Sequence, residues 1–275
     1  MEESEDGCKL LKGKKDKFGG ITLITRKLDH QSDKEFADRL KASLVHWRES
    51  GVRGLWIEIE KESSSLVHIC VENGFDFHHA QPGYILMNQW LSESEPNSLP
   101  GYANQYLGAA GMAVNDKGQV LVVTERFFHK VHWKLPGGHS NDGEEIGDAA
   151  IRETFEETGI RCKFVSLLSF RHQHNYRFGT SDLYFICLLE PITEEINMCA
   201  MEIADCKWID IDEWYHDEET SAVNKFVIEA YKDYKANGYS LSKHDVLNFT
   251  KKGHNLMYRA SEIKNNEANK CDALT

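Results

Sequence analysis

Between Gly138 and Ile160 the chain reads GHSNDGEEIGDAAIRETFEETGI. No other stretch constrains fold and chemistry as tightly. A glycine-bearing loop runs into a helix whose carboxylates Glu153, Glu156 and Glu157 fall at i, i+3 and i+4, which sets them on one face within about one turn. Gly159 reads as the residue past the helix end, free to turn left-handed and stop it. The glutamates therefore sit where the helix dipole is already negative, and like charges at this spacing cost roughly 0.2–0.5 kcal/mol per pair. Something positive must offset that. Arg152 is one candidate, and a bound cation is the stronger one, since an oxygen-rich donor set suits a hard divalent ion such as Mg2+ or Mn2+. Ile151 and Phe155, four apart, are the expected anchors of the helix to a core. Ala149 and Ala150 are expected to face the carboxylate side and leave room for a ligand. Taken alone, a Glu156-Glu157 pair is an ordinary solvated surface.

The fixed offsets of Gly138, Glu144, Arg152-Glu153, Glu156-Glu157 and Gly159-Ile160 resemble the signature of the Nudix hydrolases, G-x5-E-x7-R-E-U-x-E-E-x-G-U with U apolar. Only Thr154 departs, at the first apolar position, where it is still β-branched and able to pack. The resemblance implies an α/β/α sandwich and metal-dependent hydrolysis of the phosphoanhydride in a nucleoside diphosphate linked to another group. It implies Glu153, Glu156, Glu157 and the Gly138 carbonyl around Mg2+ or Mn2+, with Glu157 central and Glu153 a ligand or base. Arg152 would orient a glutamate, with Glu144 as its partner. In part of the family the base is a carboxylate on a later loop. Glu202 stands at the corresponding place, with an ordinary exposed loop glutamate as the alternative.

The rest of the chain bounds the setting. With 275 residues, 41% hydrophobic and 11% aromatic, it can hold one large or two modest packed domains. A net charge of −12 argues against extended nucleic-acid binding or a membrane surface, both of which want a basic face. Small nucleotides remain open, since a metal can meet their charge locally. Seven cysteines without CxxC spacing read as reduced thiols. The acidic start lacks an apolar signal core, so a cytoplasmic protein, with a nuclear share open, is the expectation.

The expected organisation is a flexible 1–17, an α/β domain over 18–95, a linker over 96–104 in the Pro96–Pro100 region, the catalytic domain over 105–238, and an extension over 239–275 with a disordered end. In the first domain the pattern predicts strands at 18–28, 54–60, 75–79 and 84–91. It predicts helices over 33–49 and from Ser63 or Ser64 to Glu72. In the second it predicts strands at 106–114, 120–124, 163–173, 181–189 and 207–211. A last helix is expected after Thr220, with Val223, Phe226, Val227, Ala230, Tyr231 and Tyr234 on its apolar face.

FDFHHA, LPGYA and FGTSDLYFICLLEP extend the resemblance to one branch of the Nudix family. Its animal members are known as growth-factor antisense proteins, and its plant members act on ADP-ribose and NADH. Homodimers are usual there, so a homodimer acting on a small nucleotide is expected, ADP-ribose or NADH first. Diadenosine polyphosphates, coenzyme A and oxidised nucleotides stay open. VENGFDFHH is similar to the closing part of GNAT-type acyltransferases. EKESSS stands where those carry a glycine-rich phosphate turn, so a GNAT-like fold without acetyl-CoA chemistry is expected. Arg126, Arg171 and His174 are candidates to hold phosphates, and Tyr176 or Phe178 to stack a base. For each singly, an exposed arginine or a backbone-bonded histidine is the plainer reading. Tyr176 loosely fits the tyrosine of diadenosine polyphosphate hydrolases. The second function kept open is a regulatory or interaction protein working through its first domain and dimer surface.

Overall fold

The computed structural model describes residues 9–30, 32–127, 132–247 and 254–262, and the chain divides into two compact units, 1–103 and 104–275. In the first unit, β1 (Lys14–Lys15), β2 (Ile21–Ile24), α1 (Asp33–Glu49), β3 (Gly54–Glu60), α2 (Leu66–Glu72), β4 (Asp76–Gln81) and β5 (Tyr84–Trp90) follow one another. They build a five-stranded sheet in the order β1-β2-β3-β5-β4. Only β2 and β3 pair in parallel, as a helical crossover between them requires. Ser32 caps α1 through Glu35 N–H, and Phe36, Leu40, Leu44 and Trp47 are all buried. They meet Leu55, Ile57 and Ile59 of β3 in one core, so the periodicity of 33–60 translates directly into packing.

Two expectations for this unit fail. The segment before residue 18 is not loose throughout: Leu10 and Leu11 are buried, and Leu11 N–H donates to the buried Ser43 hydroxyl. The second helix also begins later than predicted. A 3-10 turn takes Lys61–Ser63, and Ser65 precedes α2 without a side-chain cap.

The second unit runs β6 (Gln105–Ala113), β7 (Gln119–Glu125), β8 (Gly137–His139), α3 (Ile146–Thr158), β9 (Cys162–Gln173), β10 (Ser181–Pro191), β11 (Ile203–Asp210), α4 (Ile211–His216), α5 (Ala222–Asn237), β12 (Tyr239–Leu247) and β13 (His254–Glu262). One sheet has the order β13-β12-β9-β10-β6-β8, and β11 pairs with β7 in a second. The Asn115–Gly118 turn forms, its Asn115 Oδ1 accepting from Lys117 and Gln119 N–H. The strands it joins nevertheless part into different sheets. β6 shows the layering: Ala109 and Ala113 pack with Ala149 and Ala150 of α3, while Ala110 and Met112 pack with Trp214 of α4 and Val227 and Ile228 of α5. A strand covered on both faces is apolar throughout, and helices on both sides make the α/β/α arrangement.

The faces of two helices differ from expectation. In α3 the buried set is Gly147, Ala149, Ala150, Thr154, Glu157 and Thr158. Ala149 and Ala150 are therefore core residues, and Phe155 is 46% exposed. Small residues win because the helix lies close to β6: a Cβ on Gly111 would meet Thr154 Oγ1 at 2.2 Å. Thr154 fits this crowded place because its hydroxyl donates to Ala150 O at 2.7 Å. In α5, Ser221 rather than Thr220 supplies the cap. Asn224, Val227 and Ile228 form the buried stripe, while Val223 and Phe226 are exposed. The 239–262 segment also adds an antiparallel hairpin, β12–β13, joined to β9 at Leu241 opposite Leu167. Disorder is expected past Tyr258, but β13 continues to Glu262; the rest of that tail, 263–275, lies outside the described residues.

Candidate active site

The glycine loop and α3 meet through backbone geometry. β8 pairs with β6, setting Gly137 opposite Ala110 and Gly138 opposite Ala109. Gly137 has no room for a side chain, since a Cβ there would lie 2.5 Å from Ala109 O and 2.6 Å from Ala110 Cα. Gly138 abuts the Glu153 carboxylate, whose atoms lie 2.7 Å from where its Cβ would be. Gly159 ends α3 with φ of 75°, and its N–H donates to Phe155 O.

The carboxylates divide by environment. Glu157 is buried, with Oε2 accepting from Gly137 N–H at 3.1 Å. Burial pushes its pKa up to about 7, against a downward pull from Lys134 and Gly137 N–H and an added push from Glu153 and Glu125. Glu156 lies on the surface, its side chain 56% exposed. Arg152 organises the others. Its Nε and Nη2 grip Glu144 at 2.7 and 2.8 Å, Nη1 reaches Glu153 at 2.8 Å and Glu156 at 3.0 Å, and Nη2 also donates to His139 O at 2.9 Å. This two-pronged contact is the strong form of an arginine–carboxylate pair. It raises the Arg152 pKa, Glu144 contributing most, and lowers that of Glu144.

Among the described residues no three His, Cys, Asp or Glu side chains converge as a ready-made metal cluster, because Glu153 and Glu156 turn to Arg152. The donor set still fits a hard cation. Glu153 lies against the Gly138 backbone, and Glu157 is a buried carboxylate with a single backbone donor. Its ionised form, disfavoured by burial, would gain from a positive neighbour. Glu153, Glu157 and the Gly138 carbonyl are the atoms that would hold it, with Glu156 as an outer carboxylate.

The substrate candidates scatter. Arg171 lines two adjacent cavities, pairs with buried Asp182 at 2.7 Å and lies over the Tyr184 ring. Tyr176 lines the smaller cavity and packs edge-on against Tyr106. Arg126 instead binds Ala200 O through Nη1, and His174 bonds Ser181 Oγ. Neither is among the residues that line these two cavities. Phe178 is 93% exposed with φ of 55°, so it points into solvent and stacks on nothing in the site. Glu202 is exposed in the turn before β11. The same segment is tied to α3 by Cys199 N–H donating to Glu157 O at 3.0 Å, and Glu202 O accepts from Arg126 N–H.

Lys134, Glu125, Tyr184 and Arg177 were not singled out from sequence. Lys134 pairs with Glu125, and all four line the smaller cavity with Gly137 and Gly138. No local motif marks them, because β7, the 132–136 segment, the 177–179 turn and β10 meet only in the fold. Arg177, one residue from two that were singled out, has its guanidinium over the Tyr176 ring and no ion pair among the described residues. Burial, with Glu157 and Glu153 nearby, pushes the Tyr184 pKa up.

Comparison with known proteins agrees with this geometry. A profile described as Nudix hydrolase domain matches residues 11–91, and one described as NUDIX domain matches 105–230. The chain is 40% identical to "Nudix hydrolase 8" of Arabidopsis thaliana over 74% of its own length, spanning 56% of that protein. It is 39% identical to "Nucleoside diphosphate-linked moiety X motif 6" of Homo sapiens over 79% of its length and 70% of that protein. A solved NUDIX hydrolase from Nitrosomonas europaea aligns at 24% identity and a TM-score of 0.42, over 48% of this chain and 90% of that one. No helix among the described residues is long and apolar enough to cross a membrane. Identity of this level along most of the human relative settles the assignment: the chain belongs to the Nudix hydrolase family.

Proposed function

We propose that the protein cleaves the phosphoanhydride bond of a nucleoside diphosphate linked to a second group, ADP-ribose or NADH first among them, with Mg2+ or Mn2+. The observation that carries this is the buried Glu157 carboxylate on the Gly137 N–H, beside a Glu153 carboxylate that lies against Gly138. The name of the human relative, a nucleoside diphosphate-linked moiety X motif protein, supports the substrate class.

The reaction asks the chain to bind a highly charged diphosphate, admit a water and take its proton. The cation held by Glu153, Glu157 and the Gly138 carbonyl would offset the diphosphate charge and acidify a water. Arg152 and Glu144 fix the Glu153 carboxylate against Gly138, so its position is set before substrate arrives. Arg171, Lys134 and Arg177 supply positive charge for the phosphates. Two carboxylates can hold the proton removed from the attacking water: Glu153, and Glu202 in the segment tied to the end of α3. We also propose that the chain is a cytoplasmic homodimer, and that its first unit is a GNAT-like fold without acetyl-CoA chemistry. Lys61–Ser63 forms a 3-10 turn where a glycine-rich phosphate turn would stand, and retention of acetyl-CoA would contradict that reading.

The test is turnover in H2-18O with ADP-ribose, NADH, diadenosine polyphosphates, coenzyme A, capped RNA and oxidised nucleoside triphosphates, each with Mg2+ and Mn2+. The expected result is metal-dependent release of a nucleoside monophosphate, with the label marking the attacked phosphorus. A panel in which no member is hydrolysed would contradict the proposal.

A further inference from the structure

A separate cavity, of about 380 Å3, is built entirely from the first unit. Trp56 of β3 and Trp90 of β5 line it from the sheet, Phe18 from the turn after β1, and Leu99 and Pro100 from the linker segment. Arg53 lines it as well. None of these residues belongs to the core of the unit.

Alternation along β3 explains the floor. Leu55, Ile57 and Ile59 turn to α1 and α2 in the core, so Trp56 stands on the opposite face. Trp90 lies opposite Gly54 in the register and shares that face. The linker segment is strapped across it. Glu95 pairs with Arg53 at 2.6 Å, and its carbonyl accepts from Trp90 Nε1 at 3.0 Å. A Cβ on Gly54 would meet Leu99 Cδ2 at 2.7 Å. His78 Nε2 donates to Pro100 O at 3.1 Å, and Gln81 Nε2 to the Tyr102 hydroxyl at 2.7 Å. The other wall is tied as well, since Asp16 Oδ1 accepts from Phe18 and Gly20 N–H at 2.7 and 2.9 Å. The volume therefore exists before a ligand arrives, as is usual for small-molecule sites.

Its chemistry is aromatic with one available cation. Phe18 is 68% exposed, so packing within the fold leaves its ring largely unused. The Arg53 guanidinium lies over the Trp90 ring, 5.3 Å from the centroid. Of its five N–H donors, one on Nη1 goes to Phe18 O and one on Nη2 to Glu95. The second hydrogen of each nitrogen remains, on a side chain that is 41% exposed. Asp16 also lines the cavity, but its carboxylate is engaged by its own turn.

We propose that this cavity is a ligand site for a small planar aromatic carboxylate, with its ring against Trp56, Trp90 and Phe18 and its carboxylate on Arg53. A carboxylate matches the planar fork of a guanidinium. A flat ring gains from offset or edge-on contact with aromatic walls. The site owes nothing to the hydrolase reading and survives its failure.

The test titrates the full chain with 2-naphthoate and with its neutral counterpart 2-naphthalenemethanol, read by calorimetry and by the indole N–H resonances. The acid should bind with a Kd below about 1 mM, shift two indole signals and be preferred over the alcohol about fivefold or more. Phe18→Ala, at an exposed position that does not threaten the fold, should weaken the acid at least about threefold. Phe77→Ala, an exposed phenylalanine of the same unit, should leave it unchanged. Arg53→Gln should erase the preference for the acid. Glu95→Gln, which loosens the same strap but frees the guanidinium, should keep or raise it. No binding, or equal binding of acid and alcohol by the wild type, would overturn the proposal. So would an unchanged affinity in Phe18→Ala, or a preference lost in Glu95→Gln as in Arg53→Gln. Displacement of the acid by methylenediphosphonate with Mg2+ would place the probe at the box and also overturn it.

Discussion

Arg152 makes five hydrogen bonds to groups from the glycine loop, the Glu144 turn and α3, so it acts by holding other residues in place. Lysine keeps the charge but cannot form the fork. Arg152→Lys and Glu144→Gln are each expected to lower kcat/KM about 10–100-fold, as loss of a group supporting a metal ligand does, with circular dichroism unchanged. Gly137 and Gly138 make a sharper pair. A methyl on Gly138 meets only the end of the flexible Glu153 side chain, whereas one on Gly137 meets backbone. Gly138→Ala should therefore fold normally and lose activity, because Glu153 must move. Gly137→Ala should lose about 1–3 kcal/mol of stability in urea unfolding. The opposite assignment of effects would contradict the geometry.

At the scale of elements, much was legible in the sequence and some was not. α1 and β3 lie at 33–49 and 54–60, where periodicity sets them, because their apolar residues are large and regularly spaced. α3 misleads the same reasoning. Its large apolar residue Phe155 is exposed with the Arg161 guanidinium above it, while alanines, Thr154 and a glutamate face the sheet. Close approach to β6 at Gly111 rewards small side chains, and sequence alone does not show which strand lies under a helix. The box residues were readable because their spacing is local. Glu125, Lys134, Tyr184 and Arg177 were not, because four separate segments bring them together. The account predicts that Phe155→Ala costs under about 1 kcal/mol, as at surface sites. Ala150→Leu should cost about 1–3 kcal/mol by overpacking. Thermal unfolding of the two variants checks this directly.

For the whole molecule, Glu157 links stability to pH. Its pKa in the fold is raised from 4.5 to about 7, so the protonated form is favoured when no cation is bound. Its contribution is fully present below about pH 4.5 and is lost as pH rises through about 7, a change on the order of 3 kcal/mol. In the presence of a chelator, the wild type should lose Tm between pH 5 and pH 8 more steeply than Glu157→Gln. Added Mn2+ should restore Tm most at the high end, where the carboxylate is ionised. Parallel slopes in the two proteins would show that the buried carboxylate does not govern this dependence.

The central claim is that Glu157 and Glu153, set against Gly138, make this chain a metal-dependent hydrolase. The most direct measurement is kcat for ADP-ribose hydrolysis in saturating Mn2+ by the wild type, Glu157→Gln and Glu156→Gln. The account predicts a loss of at least about 100-fold for Glu157→Gln, beyond the effect of a merely supporting residue, and a smaller loss for the exposed Glu156→Gln. An unchanged kcat in Glu157→Gln would contradict it.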